Sequence, residues 1–150
     1  MASTFTNLLY HVIFSTKNRI PCIDTALRQD LHAYLGGIVR ELGGAALEIG
    51  GVADHVHLLV KLPPKIALSD FMRTLKANSS KWMNEEKLKL RKFGWQDGYS
   101  AFSVSKSQTP EVRSYIQNQE AHHQRKSYQD ELRALLRRHE IEFDERYIWG

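Results

Sequence analysis

Residues 46–63 read ALEIGGVADHVHLLVKLP: two short apolar stretches on either side of Ala53 and Asp54, the two-residue spacing of a β-hairpin. Pro63 and Pro64 close the second stretch, because proline donates no hydrogen bond to a ladder. Alternate side chains of a strand share a face, so Val56, Leu58, Val60 and Leu62 form an apolar side that packs under helices, while His55, His57, Leu59 and Lys61 form the other. That second face is expected to be open. Two histidines about 7 Å apart along one strand can converge on a common ion in front of it. Imidazole is the commonest protein ligand for transition metals, yet two exposed histidines equally suit a solvated surface.

The flanking sequence supplies the rest of a sheet. NLLYHVIFS (7–15) is rich in β-branched and aromatic residues and runs into the turn-prone TKNRIP, which predicts a first strand. DTALRQDLHAYLGGIVRELGG (24–44) repeats Leu27, Leu31, Tyr34 or Leu35, Ile38 and Leu42 at helical spacing, with Asp24 as N-cap and Gly43 and Gly44 as stops. A second helix is predicted from Ser69 to about Leu90, with Phe71, Met72, Leu75, Ser79, Trp82 and Met83 on one side and lysines on the other. GYSAFSVS (98–105) reads as a fourth strand. The order βαββαβ predicts an α+β, ferredoxin-like fold: a four-stranded antiparallel sheet with two helices on one face.

Two helices follow. Thr109 as N-cap and Pro110 at the first helical position start TPEVRSYIQNQEAHHQ (109–124), and Ser127 caps SYQDELRALLRRHEI (127–141) with its Leu132, Leu135 and Leu136 stripe. EFDERYIW (142–149) is left as an unassigned tail. At 150 residues, with 42% hydrophobic and 25% charged residues, the chain is expected to form one domain over 1–150 and is not a disordered polymer. No stretch is apolar for long enough to cross a bilayer and the N-terminus lacks the layout of a secretory signal, so a cytoplasmic protein is expected. Cys22 is the sole cysteine, which rules out an internal disulfide and a cysteine-based zinc site.

The net charge is +4, and residues 61–107 hold ten Lys/Arg against four Asp/Glu. Such a cluster suits a polyanion such as nucleic acid, and suits a solvated lysine-rich helix as well. Candidate phosphate contacts are Arg73, Lys76, Lys81, Lys87 and Lys89 on the basic helix, with Lys17 and Arg19 in the first loop. Trp82 lies on the apolar side of its helix and is expected in the core rather than against a base.

Tyr115 and Gln119 are four residues apart and so share a helix face. A tyrosine beside Val112 and Ile116 commonly packs in a core with its polar tip exposed. Its alternative role is as a nucleophile, which at a free pKa of about 10 needs help from a cation or a base. HVH (55–57) resembles the HUH motif of single-strand DNA endonucleases, and YIQNQEAHH (115–123) resembles the tyrosine-helix motif of the single-tyrosine transposases of IS200/IS605-like insertion sequences. YHVIFSTKNR (10–19), DHVHLLV (54–60) and GWQDGYSAFSVS (94–105) are similar to that family too, in the same order along most of the chain.

The resemblance implies that His55, His57 and Gln119 hold a divalent metal, Mg²⁺ or Mn²⁺, and that Tyr115 attacks a DNA phosphate to give a 5′-phosphotyrosine link. It further implies single-stranded DNA with hairpin ends as the partner and a homodimer as the working unit, with SKSQTP (105–110) allowing the tyrosine helix to dock in cis or in trans. His122 and His123 also match the family pattern, and His122 is the rival third ligand; Asp54 is a candidate to orient a ring, and His11, His32 and His139 are read as structural or surface residues, His11 to be reconsidered if its strand lies beside the metal strand. A related HUH nicking enzyme, host-encoded or of the replication type, and a non-catalytic nucleic-acid-binding module on the same fold are the alternatives.

Overall fold

The computed structural model describes residues 2–88 and 92–150; Lys89 and the predicted helix end near Leu90 lie outside them. Four strands, β1 (Leu8–Ser15), β2 (Ala45–Val52), β3 (His55–Leu62) and β4 (Ser100–Val104), form one antiparallel sheet in the order β2-β3-β1-β4. This is the ferredoxin-like arrangement. Helices α1 (Thr25–Glu41) and α2 (Leu68–Trp82) connect β1 to β2 and β3 to β4. The central pair aligns Val12 with Leu58 and Ile13 with His57.

The apolar sides of β1 and β3 face α1 and α2 as their alternation predicts. Val12, Phe14, Val56, Leu58, Val60 and Leu62 pack with Leu31, Leu35 and Val39 of α1 and Phe71, Met72 and Leu75 of α2. Full burial of each such aliphatic side chain contributes roughly 1.5–3 kcal/mol. Asp24 caps α1 by accepting from the Leu27 backbone N–H at 2.8 Å, and Gly43 ends it at φ +84, where a side chain would be strained. Trp82 stacks on Tyr34 of α1 with 4.6 Å between ring centroids, so it braces the two helices. Beyond Trp82 the helix widens into a π turn at Met83–Lys87, shorter in its α-helical part than the apolar spacing suggests.

The opposite face departs from expectation. It is closed, not open. The segment after β4 forms α3 (Thr109–Gln117), α4 (Gln119–His123) and α5 (Tyr128–Arg138), and α5 lays Tyr128, Leu132, Leu135 and Leu136 against Ile13 and Phe102 of the sheet. The unassigned tail joins this second core through Phe143, Ile148 and Trp149, with Arg133 paired to Glu145. Ser127 caps α5 as read from the sequence. Thr109 does not cap α3: it is the first helical residue, and its hydroxyl donates back to the Lys106 carbonyl at 2.7 Å. The single helix expected over 109–124 is broken at Asn118.

His32 on α1 has a buried Nε2 with no hydrogen-bond partner among the described residues. Burial, followed by the nearby Arg28 charge, lowers its pKa to about 4. A folded-state value below the unfolded one favours the neutral ring, so this contribution is present above pH 6.5 and is lost as the pH falls toward 4. Urea titrations at pH 7 and pH 5 are therefore expected to show wild type losing more stability on acidification than His32→Leu, the difference approaching about 1.4 kcal/mol per pH unit within that window. Parallel losses in the two proteins would show that His32 does not titrate differently on folding.

Candidate active site

His55 opens β3 and His57 follows on the same face. Both are 0% exposed, covered by Tyr115 of α3, His123 of α4 and Tyr128 and Glu131 of α5. Asp54, at the hairpin tip, accepts from His55 Nδ1 at 2.7 Å. An acceptor there fixes the proton on Nδ1 and directs Nε2 into the site. His57 Nδ1 lies 2.8 Å from His11 Nε2, so His11 belongs to the site: its strand does lie beside the histidine strand.

Both Nε2 atoms point at one carboxylate. Glu131, on α5 and 2% exposed, places Oε1 3.2 Å from His55 Nε2, 3.1 Å from His57 Nε2 and 3.0 Å from His123 Nε2. Its Oε2 accepts from the Gln119 amide at 3.0 Å and from the Tyr115 hydroxyl. The Gln119 Oε1 atom lies 3.1 Å from His55 Nε2. Tyr115 and Gln119 thus meet at the site although the helix between them is broken at Asn118. His122 stands 3.4 Å from Glu131 Oε2 and is partly exposed; its neighbour His123 is the one that reaches the two strand histidines.

The electrostatics follow from burial around an anion. Burial opposes charge on His55, but hydrogen bonds to Asp54 and Glu131 outweigh it and raise the pKa to about 9. Burial dominates at His57, lowered to about 4, and at His11, lowered to about 3. Burial and the adjacent Glu131 charge push the Tyr115 phenol well above its ordinary range. Burial penalises the Glu131 carboxylate, yet its hydrogen bonds with His123, His55 and His57 hold it ionised far below the usual range.

Glu131 was not singled out in the sequence, though it carried a signal, and His123 was noted only as matching the family pattern at the end of YIQNQEAHH, with no role given to it. Tyr128, Glu131, Leu132 and Leu135 fall at i, i+3, i+4 and i+7, so Glu131 sits on the apolar stripe of its helix. A carboxylate there needs partners.

Of the basic candidates, Arg73 and Lys76 line one cleft beside Trp95 and Tyr99. Lys76 donates to the Asp97 and Gly98 carbonyls at 2.9 and 2.7 Å, Lys17 pairs with Asp97, Arg19 donates to the Trp149 carbonyl at 2.6 Å, and Lys87 pairs with Asp30. Lys81 is exposed on α2. Among the described residues, the hydrogen bonds and ion pairs of these cations go to partners outside the histidine site.

The chain matches the family model described as "Transposase IS200 like" over residues 4–119. It is 32% identical over 125 residues to the transposase for insertion sequence element IS200 of Salmonella typhimurium, covering 79% of this chain and 81% of that protein. It is 29% identical over 117 residues to the ISDra2 transposase TnpA of Deinococcus radiodurans, covering 75% and 84%. A crystal structure of a transposase from Deinococcus radiodurans R1 superposes with a TM-score of 0.63 at 25% identity, covering 79% of this chain and 95% of that one. A REP-associated tyrosine transposase bound to a REP hairpin shares the fold, with a TM-score of 0.60 at 16% identity over 82% and 74% of the chains.

The approach of α3 to the sheet depends on Gly50, the partner of His57 across β2 and β3. A Cβ there would lie 2.4 Å from the Ile116 carbonyl oxygen, a backbone atom that no rotamer change can move. Gly50→Ala is expected to cost about 1–3 kcal/mol by forcing α3 off β2. Gly37→Ala, whose Cβ would meet nothing closer than the Arg40 side chain at 3.8 Å, is expected to be neutral or to stabilise α1 by about 0.5–1 kcal/mol. Urea midpoints of the two variants check the contrast, and equal midpoints would sink it.

Proposed function

Because the chain belongs to the IS200-like transposase family, we propose that it is a metal-dependent enzyme that cuts and rejoins single-stranded DNA at hairpin-marked ends through a 5′-phosphotyrosine link at Tyr115. The observation that carries this reading is the meeting of Tyr115 and Gln119 with His55 and His57 around one buried carboxylate. The residues suit a divalent ion: Asp54 commits His55 Nδ1 as a donor and leaves Nε2 to face inward, and the Gln119 amide oxygen lies beside that nitrogen. His55, His57 and Gln119 would hold Mg²⁺ or Mn²⁺. When bound, the ion supplies positive charge that polarises and orients a scissile phosphate.

The protein's own part is positional. Hydrogen bonding to Glu131 holds the Tyr115 phenol at the site, and the same ring lines a cleft of about 530 Å³ with His11, Phe102, Ser105, Arg138 and His139. In this reading a strand enters through that cleft. The Tyr115 oxygen bonds to phosphorus as the bond to the 3′-oxygen breaks. The phenolic proton passes to solvent, and the departing 3′-oxygen takes one from it. The link conserves the phosphodiester energy, so attack by another 3′-hydroxyl rejoins a strand without ATP.

The partner is single-stranded DNA carrying hairpins, contacted along its phosphates by Lys17, Arg19, Arg73, Lys76 and Lys81. Two copies work together as a homodimer. Tyr115 lies beside His57 of its own chain, a contact that supports docking in cis.

The test is direct. Incubation with hairpin-containing single-stranded DNA and Mg²⁺ or Mn²⁺ is expected to give a denaturant-resistant protein–DNA adduct in wild type and none in Tyr115→Phe. An adduct that persists in Tyr115→Phe overturns the nucleophile, and none in wild type with either ion overturns the proposed chemistry.

A further inference from the structure

We propose that His123 and Glu131 join His55, His57 and Gln119 as metal ligands, so that the centre presents three imidazoles, a carboxylate and an amide oxygen and takes a first-row transition ion. This refines, and rests on, the metal reading above. Both added residues lie beyond the stretch 4–119 that matches the family model; His123 closes the family-like YIQNQEAHH, and Glu131 lies beyond that motif as well.

The spacing supports it. The donor atoms of His55, His57, His123 and Glu131 all fall within 4.8 Å of one another. Glu131 Oε1 lies 3.0 to 3.2 Å from the three Nε2 atoms. Donors about 2.1 Å from a common ion stand roughly 3.0–3.4 Å apart, depending on whether the geometry is octahedral or tetrahedral.

Hydrogen-bond chemistry supports it independently. His55 Nδ1 faces the Asp54 carboxylate and His123 Nδ1 faces the Lys126 carbonyl at 2.6 Å. Both partners only accept, so each Nδ1 carries a proton, and a neutral ring then offers a bare lone pair at Nε2. Both Nε2 atoms are aimed at Glu131 Oε1, which only accepts. Without an ion they meet it as N–H donors, at the cost of a positive charge for each ring that is doubly protonated, whereas a single divalent ion takes the place of those protons and engages the ring nitrogens and the carboxylate together.

The donor set also selects the ion. Mg²⁺ favours an octahedron of oxygens and keeps much of its water, whereas imidazole nitrogen favours later first-row ions. Three imidazoles tilt the centre toward that class.

Protein stripped with a chelator and titrated with Co²⁺ tests this without DNA. One ion per chain is expected, with X-ray absorption of the bound Co²⁺ counting three imidazole neighbours and Mg²⁺ at equal concentration failing to displace it. His123→Asn is expected to leave two imidazoles, and both His123→Asn and Glu131→Gln to weaken binding by at least about tenfold. Two imidazoles in wild type, displacement by equimolar Mg²⁺, or unchanged affinity in both variants overturns the proposal. The wild-type count stands even if a variant fails to fold. Adduct formation at Tyr115 is read separately: an adduct with two imidazoles discards these ligands and keeps the transposase reaction, and three imidazoles without an adduct does the reverse.

Discussion

The carboxylate of Glu131 is the constraint around which the histidine face is organised. An ionised group taken this far out of water costs several kcal/mol unless it is well paired. Among the described residues its hydrogen-bond partners are imidazoles, an amide and a phenol, and no lysine or arginine. These partners come from β3, α3 and α4, so satisfying one anion on α5 fixes three other elements relative to it. The local break at Asn118 is consistent with this: α3 and α4 need not be collinear so long as Tyr115 and Gln119 both reach the same oxygen.

The two faces of the sheet divide the work physically. Toward α1 and α2, Val12, Phe14, Leu58 and Val60 pack without polar groups, and non-directional burial is enough to hold them. Toward α5, the same strands offer His11, His55 and His57, whose directions are set by hydrogen bonds and whose burial is tolerated only while those bonds are made. The first face supplies a stiff platform. The second uses it to hold ring nitrogens within hydrogen-bond distance of a common oxygen.

What was legible in the sequence follows this division. Period-two alternation in HVHLLVKL and helical spacing in α1 and α2 report on burial, and they gave the topology and the apolar side of β3. They could not report that the histidine side is also covered, because the covering helices α3, α4 and α5 come after β4, far along the chain from β3, and their own patterns say only that some apolar surface receives them. The meeting of His55, His57, Tyr115 and Gln119 was reached through family resemblance, not through periodicity. Glu131 was visible in principle as a charge on an apolar stripe. His123 was visible only as part of the family-like YIQNQEAHH, since its place depends on a helix break at Asn118 that no glycine or proline announces.

The basic residues raise a different question, because several are already engaged. Arg73 pairs with Asp70 and Lys17 with Asp97, both pairs largely exposed. Such pairs stabilise a fold by only about 0–1 kcal/mol, since water and salt compete for each charge. A phosphate can therefore take the place of Asp70 or Asp97 at little cost, and these cations remain available to a polyanion. Arg19 differs. Its guanidinium donates to the Trp149 carbonyl and lies 5.9 Å from the Trp149 ring centroid, so drawing it toward a phosphate would disturb the tail that packs with α5. On these grounds the surface of α2, more than the loop after β1, is the part of the molecule whose charge is free to meet DNA without loosening the layer that closes the site.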